Sequence, residues 1–401
     1  MAKELLIIIS LLVIISYILE VAARKIHLSS VIFLIGIGLL LEVAVSTFKI
    51  KLPEMTSTLI LLGGLSLVFI VLQGAMELKV EKQKRKMIVK MFVMSIFPMI
   101  CLSLAGTAIL HISTGISYKT ALLNIIPLTV MSSSIAVPGA SVLPERPKEE
   151  VVYESSFSDI IGLLFFNFVI RDKGDLLHDS TKFIFHLFGM IIVTMVASLF
   201  IGWLLGKLKT SIRFIPILAT LLLIFEISEY LEWPALILIF VFGIFIGNIH
   251  RISELPLIRK IHPENIMSQS REFFTIVSEF GFLLRSLFFL VFGFFIHPKV
   301  FIDLKGWGWS LGLLFLGYII RWGFLKILRI NILPNLFFAP RGLVTILLFM
   351  YIPAHLRIGQ ITMSVVVQTV ILSIIIMSAG SFFIRKSKIK EDLKEEIREI
   401  F

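Results

Sequence analysis

Apolar segments of membrane-spanning length follow one another along almost the whole of this 401-residue chain, with short polar loops between them. A helix crosses a bilayer core of about 30 Å with roughly 17 to 25 apolar residues. Hydrophobic residues make up 57% of the chain and charged residues 16%, a balance that soluble domains of this size do not show. The sequence therefore predicts an all-α polytopic membrane protein whose main partner is the lipid bilayer.

We predict thirteen spans in this chain. They lie near residues 5–19, 28–45, 58–76, 87–112, 119–141, 150–170, 182–206, 213–231, 234–249, 272–296, 307–327, 334–353 and 359–384. The first has no basic stretch before it and no small-residue cleavage site after it, so we interpret it as a retained helix. Residues 1–384 are assigned to one transmembrane domain of 13 predicted helices and residues 385–401 to a short, charged cytoplasmic tail.

Lysine and arginine residues are distributed unequally between the two sets of alternate loops. The set that includes the loop KVEKQKRK (79–86) carries 24 of them, whereas the opposite set carries 10. Because basic loops stay in the cytoplasm, the N-terminus is predicted outside and the C-terminus inside, as in a prokaryotic inner membrane. The net charge of +11 is explained by these loops, and no nucleic-acid motif accompanies it.

Two of the predicted spans are interrupted by proline. The span 119–141 contains Pro127, three consecutive serines and Pro138, and the span 334–353 contains Pro334 and Pro340. Proline removes a backbone donor, and a broken helix at membrane depth is tolerated only beside a cavity or another helix. Each break falls in the fifth helix of a group of six. This position predicts two six-helix inverted repeats, with the broken helices crossing near the bilayer midplane around a binding site.

Charged side chains inside spans are costly, at least about 2.5 to 3.5 kcal/mol each, and are usually functional. Glu154 and Asp159 lie in the sixth span, five positions and therefore about 140° apart around the helix. Ser155 shares a face with Asp159, whereas Glu154 points elsewhere and requires a partner of its own. We predict that this partner is Arg341 at the second break. Charged residues near span ends are expected to reach the interface; these are Glu20, Glu42, Glu77, Lys90 and Glu226.

Oxygen ligands are what a hard monovalent cation requires. The carboxylate of Asp159, the hydroxyls of Ser155 and Ser158, and Ser133 and Ser134 at the first break supply them. A carboxylate in a low-dielectric site favours its uncharged form, so it can take up either a proton or a cation. Competition between the two ions, together with alternating access, predicts antiport of H⁺ against Na⁺ or K⁺ without any cofactor.

Several stretches resemble the sodium/proton exchangers of the cation:proton antiporter superfamily. ESSFSD (154–159) resembles the Glu-Ser-x-x-Asn-Asp motif of that family, and FGFLLRSLFFLVFGFFI (280–296) resembles its phenylalanine-rich helix. GYIIRWGF, which contains Arg321, and APRGLVTILL (339–348) resemble its two late arginine-bearing helices. The resemblance extends over nearly the whole chain in order and spacing.

The resemblance implies roles for individual residues. Asp159 would be the ion-binding acid and Ser155 one of its ligands, while Glu154 would pair with Arg341 to brace the two broken helices. It also implies a homodimer in which each chain is divided into a dimerisation part and a mobile core.

Four positions depart from the family pattern. Ser158 replaces the asparagine before the key acid, and Ser134-Ile135 replaces the usual Thr-Asp pair. Gln73 replaces an acid late in the third helix, and Arg285 occupies a position that is usually neutral. The serine run resembles the potassium-efflux branch, so the choice between Na⁺ and K⁺ stays open. Arg285, Arg321 and Gln73 are candidate modulators of transport.

One titrating carboxylate, Asp159, predicts electroneutral exchange of one H⁺ for one cation.

Other functions compete with antiport. A transporter of another solute on the same fold, such as an organic anion drawn by Arg285 and Arg341, is one alternative, and a cation channel is another. The eight histidines are scattered and no catalytic triad or phosphate-binding signature is present, so the chain is not predicted to be an enzyme.

Overall fold

The structure is a computed structural model that describes residues 2–26, 29–47, 56–79, 81–171, 188–190, 192–198, 200, 214–231, 233–252 and 263–400. No β-strand occurs in these ranges. The helices are α1 (Ala2–Ile26), α2 (Ser30–Thr47), α3 (Thr56–Glu77), α4 (Arg85–Thr114), α5 (Tyr118–Thr129), α6 (Ser133–Gly139), α7 (Glu145–Arg171), α8 (Phe188–Ser198), α9 (Phe214–Tyr230), α10 (Leu236–Gly247), α11 (Ile249–Ile252), α12 (Pro263–Phe295), α13 (Leu304–Ile327), α14 (Ile332–Asn335), α15 (Leu343–Tyr351) and α16 (Met363–Ile400).

The all-α prediction is confirmed, because each of the thirteen predicted spans contains helix. Within the described ranges, eight helices are long and apolar enough to cross a membrane. Parts of the span 182–206 and the basic residues 207–213 lie outside the described residues. The helix α16 runs on to Ile400, so the predicted tail continues the last span as helix.

The chain divides into two units. The first comprises Met1–Gly63, Met87–Gly162 and Leu283–Phe401, and the second comprises Gly64–Lys86 and Leu163–Phe282. Both predicted breaks belong to the first unit, as do Glu154 and Asp159 of α7.

Small residues bring helices α2 and α12 together in the first unit. A Cβ atom on Gly38 would overlap the backbone around Leu290, and one on Gly293 would overlap the backbone of Ile35. Helices in lipid associate through such close backbone packing because burial of apolar surface gives them little advantage there. The two glycines therefore set the distance between these helices.

The second unit is held by a side-chain amide and by aromatic packing. Asn248 donates from Nδ2 to the carbonyl oxygen of Leu78 at 2.8 Å. The ring of Phe273 lies 5.8 Å from that of Phe214 and 6.3 Å from that of Phe242, measured between centroids. The unit is thus braced at the end of α3 and around α12.

Candidate ion-binding site

The two helix breaks are extended stretches of backbone. Helix α5 ends at Thr129 and α6 begins at Ser133, with Val130 and Ser132 in extended conformations between them. After α14, residues 338–342 have no helical structure before α15 begins at Leu343. Such segments leave backbone donors and acceptors without their usual helical partners.

The two breaks meet each other directly. The backbone N–H of Ser132 donates to the carbonyl oxygen of Pro340 at 2.9 Å. A Cβ atom on Gly342 would overlap the side chains of Ile135 and Ser132, so this close approach requires glycine. The prediction that the two broken helices cross is confirmed.

Asp159 connects α7 to the first break. Its side chain is buried, with a relative exposure of 2%. The oxygen Oδ2 accepts a hydrogen bond from the backbone N–H of Ser133 at 3.1 Å and a second one from the hydroxyl of the same residue. The other oxygen, Oδ1, has no hydrogen-bond partner in the described part of the chain. One half of the carboxylate is therefore held in place and the other half is open.

Ser133 is the only one of the predicted serine ligands with a hydrogen bond to Asp159 among the described residues. The hydroxyl of Ser158 instead accepts from the backbone N–H of Met131 at 2.9 Å. Ser158 thus holds the extended backbone of the first break against α7, so its observed contact is a positioning one.

Ser155 and Ser134 bond away from Asp159. The hydroxyl of Ser155 donates to the carbonyl oxygen of Val151, one turn earlier in α7, at 2.7 Å. The hydroxyl of Ser134 lies 2.8 Å from that of Ser132, and its carbonyl oxygen accepts from Nη1 of Arg285 at 3.2 Å. Arg285 therefore contacts Ser134, and the neighbouring Ser133 is the residue hydrogen-bonded to Asp159.

Glu154 is paired with Arg321. The nitrogens Nη1 and Nη2 of Arg321 each donate to one carboxylate oxygen, the second at 2.8 Å. Side-chain exposures of 4% for Glu154 and 7% for Arg321 make this a buried bidentate ion pair. Arg321 also donates to the carbonyl oxygen of Asn335 from Nε at 3.0 Å and from Nη2 at 2.8 Å.

The predicted pairing of Glu154 with Arg341 is therefore wrong. Arg321 is buried six residues before the end of α13, so its charge must be matched within the protein. The position of Arg321 inside an uninterrupted span was a signal for this partner. Arg341 was chosen as the partner because it lies at the second helix break, but its guanidinium is not hydrogen-bonded to Glu154.

Two residues near this pair were missed in the sequence. Asn335 donates from Nδ2 to Glu150 at 2.7 Å, and Glu150 lies 3.4 Å from Nε of Arg146 at the surface. Glu150 precedes Glu154 by one helical turn, which places both acids on one face of α7. That spacing could have drawn attention to Glu150, whereas nothing in the sequence singled out Asn335.

The remaining candidates have other surroundings. The backbone N–H of Arg341 donates to the hydroxyl of Ser373 at 2.8 Å, and its side chain lines a cavity in the first unit. In the second unit, Gln73 donates from Nε2 to Glu77 at 3.3 Å. Glu20 is buried and accepts from the hydroxyl of Ser30, so the expectation that it reaches the interface is wrong.

Comparison with known proteins decides the family. The family model described as "Sodium/hydrogen exchanger, transmembrane" matches residues 7–386. The chain belongs to the sodium/hydrogen exchanger family. This exchanger is thus an integral membrane transporter of the cation:proton antiport class, and the recognition made from ESSFSD and APRGLV is confirmed.

Solved structures share the fold of the exchanger. A structure of the sodium/proton antiporter MjNhaP1 from Methanocaldococcus jannaschii aligns with a TM-score of 0.70 and 15% identity, covering 94% of this chain and 97% of the other. A second structure of MjNhaP1 aligns with a TM-score of 0.69 and 16% identity, covering 94% and 95%. At this identity the likeness concerns the fold alone. No curated protein matches the exchanger.

Proposed function

We propose that Asp159 is the exchange site and that it binds one proton or one monovalent cation at a time, with alternating access. The observation that carries this proposal is the buried oxygen Oδ1, which has no hydrogen-bond partner in the described part of the chain, beside Oδ2, which accepts two hydrogen bonds from Ser133. An isolated charge inside a protein is costly, so a buried carboxylate is stabilised by a proton or by a cation. Oδ1 is the position at which the two ions would compete.

The transported cation is proposed to be Na⁺ or K⁺. The family is named for sodium, and both ions take oxygen ligands. The carboxylate of Asp159, the hydroxyl of Ser133 and carbonyl groups of the extended residues at the first break offer such ligands. Ser155 and Ser158 are proposed to join them only if their hydroxyls turn away from their present partners.

Exchange is proposed to be electroneutral, with one H⁺ moved for each cation. Both oxygens of Glu154 are bonded to Arg321, so neither is open to a transported ion and this acid stays out of the proposed cycle. Ser158 and Ile135 stand where further acids would be needed for a second proton. A single carboxylate that alternates between one proton and one cation moves no net charge.

The cellular setting is also a proposal. We place the exchanger in a prokaryotic inner membrane as a homodimer, with the N-terminus outside and the C-terminus in the cytoplasm. The bias of basic residues between alternate loops supports this orientation.

The transport experiment uses the purified full chain in proteoliposomes that hold a pH-sensitive dye. Na⁺, K⁺ and Li⁺ gradients are compared for the wild type, for Asp159→Asn and for the control Glu145→Gln, which changes an exposed acid of the same helix. We expect cation-driven proton flux in the wild type and the control, and none in Asp159→Asn, since an amide cannot titrate. Wild-type flux in Asp159→Asn would overturn the assignment of the site.

The stoichiometry is tested with an imposed membrane potential. A charge that crosses the membrane gains about 2.3 kcal/mol per 100 mV, so an electroneutral cycle should not respond to voltage. Valinomycin and K⁺ set the potential while Na⁺ drives the flux, after a check that K⁺ is not transported. If K⁺ is a substrate, a gradient of the membrane-permeant anion thiocyanate sets the potential instead of valinomycin and K⁺. A flux that scales with the potential would contradict the one-to-one ratio.

A further inference from the structure

A small cavity lies within the first unit, beside the crossing of the two breaks. Helices α4, α7 and α13 contribute to its walls, together with both extended segments. Its polar lining includes Thr129, Glu154, Ser158, Tyr318, Arg321 and Arg341. Asp159 does not line it, so the chemistry of this cavity is separate from the open oxygen of the exchange site.

The charge of the lining is not balanced. Glu154 and Arg321 neutralise each other through their bidentate contact. Arg341 has a relative exposure of 8%, and its Nε has no hydrogen-bond partner among the described residues. In the same part of the chain, no carboxylate lies within ion-pair distance of its guanidinium. One buried positive charge is therefore left on the wall, and buried charges are normally paired.

A second polar group on the same wall also lacks a partner. The hydroxyl oxygen of Tyr318 is buried and accepts or donates no hydrogen bond among the described residues. A phenol can donate its proton, and a guanidinium offers only donors. Arg341 and Tyr318 thus both line this cavity, and each carries a polar group without a hydrogen-bond partner among the described residues.

We propose that this cavity binds a small monovalent inorganic anion, with chloride as the type case, at Arg341 and Tyr318. A guanidinium and a hydroxyl are the groups that an anion requires, and one uncompensated positive charge matches one negative charge. A cation would meet the repulsion of Arg341. The cavity has room for about three water-sized molecules, which is enough for one chloride ion and one or two waters.

The binding experiment uses the full chain purified in sodium gluconate, because gluconate is too large to share the donors as chloride does. Sodium chloride then replaces gluconate at constant sodium concentration, and the unfolding temperature is followed. We expect the wild type to be stabilised in a saturable manner. Arg341→Gln should remove the effect, and Tyr318→Phe should raise the chloride Kd about tenfold, since it loses one hydrogen bond to a charged ligand.

A matched control variant and a direct measurement separate chloride binding from a general effect on stability. Arg357→Gln changes an arginine whose guanidinium donates to the carbonyl oxygens of Ile352 and Met350, so it should keep the chloride effect. Crystals soaked in bromide should give an anomalous peak beside Arg341, which does not depend on the stability of any variant. The absence of saturable stabilisation in the wild type, or of a bromide peak at Arg341, would overturn the proposal.

The proposal stands apart from the exchange site. Asp159→Asn should retain the response to chloride, because Asp159 does not line the cavity. Loss of transport in that variant with an intact chloride response would support both assignments, whereas a wild type that transports but does not bind chloride or bromide would sink only this one.

Discussion

Glu154 and Asp159 are five residues apart on helix α7, and both are almost fully buried. They differ in how many of their carboxylate oxygens have hydrogen-bond partners. Both oxygens of Glu154 are bonded to Arg321, whereas among the described residues only one oxygen of Asp159 is bonded, to Ser133. The comparison teaches that burial alone does not mark an exchanging acid. A fully paired acid serves the structure, and an acid with an open oxygen can bind an ion.

The energetic consequence differs in the same way. Removing one partner of a buried ion pair leaves the other charge uncompensated, which costs about 3 to 5 kcal/mol. Removing the charge of Asp159 leaves no arginine or lysine without its partner, because none is bonded to it among the described residues. Substitutions on each side of this contrast should therefore differ in size.

The largest expected effect concerns the buried pair. Glu154→Ala and Arg321→Ala should each lower the free energy of unfolding by about 3 to 5 kcal/mol, and the double variant should lose less than the sum. The measurement is a double-mutant cycle of unfolding in detergent. The same cycle between Glu154 and Arg341 should show the weaker coupling, and additive losses for Glu154 and Arg321 would refute their pairing.

Ser133 should influence exchange through its hydrogen bonds to Asp159. Ser133→Ala removes the hydroxyl and keeps the backbone N–H, so we expect the KM for the transported cation to rise about tenfold at fixed pH, equivalent to about 1.4 kcal/mol. Ser155→Ala is the control, because that hydroxyl bonds to its own helix, and it should change the KM less than Ser133→Ala. An equal effect of the two substitutions would mean that Ser155 also reaches the ion.

Asp159→Asn should leave stability nearly unchanged. The amide loses the charge but keeps the oxygen that accepts from Ser133, so we expect a change of less than about 1 kcal/mol. Thermal unfolding of this variant is compared with that of Glu154→Gln, which breaks the buried pair and should be much less stable. A loss in Asp159→Asn as large as that in Glu154→Gln would remove the distinction between the two acids.

The smallest effect is expected for a surface pair in the second unit. The guanidinium Nη2 of Arg251 donates to Oε1 of Glu81 at 2.7 Å, and this hydrogen bond lowers the pKa of that carboxyl below its ordinary 4.5. Because the folded-state pKa is depressed, the pair stabilises the fold above pH 4.5 and loses this contribution as the pH falls through the folded value.

The stability difference between the wild type and Glu81→Gln measures this contribution. It should be small near neutral pH and should vanish in acid, since solvent screens a partly exposed pair. A difference as large as that for Glu154→Gln would mean that burial does not separate the two pairs.

The helices of this exchanger could be predicted from the sequence because hydrophobicity over about 20 residues decides whether a segment enters a membrane. The two breaks were equally visible, since proline and glycine act on the backbone locally. Asp159 and Glu154 could be selected as important because a carboxylate inside a span is costly and is usually kept for a function or for a buried partner. These predictions rest on the hydrophobicity, backbone restriction and charge of individual residues, which do not depend on the packed fold.

The partners of these residues were decided only by the tertiary structure. Whether Glu154 meets Arg321 or Arg341 depends on the rotation and packing of α7 and α13, and both arginines are chemically suitable. The same holds for the serines, since Ser133 bonds to Asp159 while Ser155 bonds to its own helix. Hydrophobicity and backbone propensity are local, whereas a hydrogen bond requires two groups to arrive at the same point within a fraction of an ångström, and only the packed fold determines that.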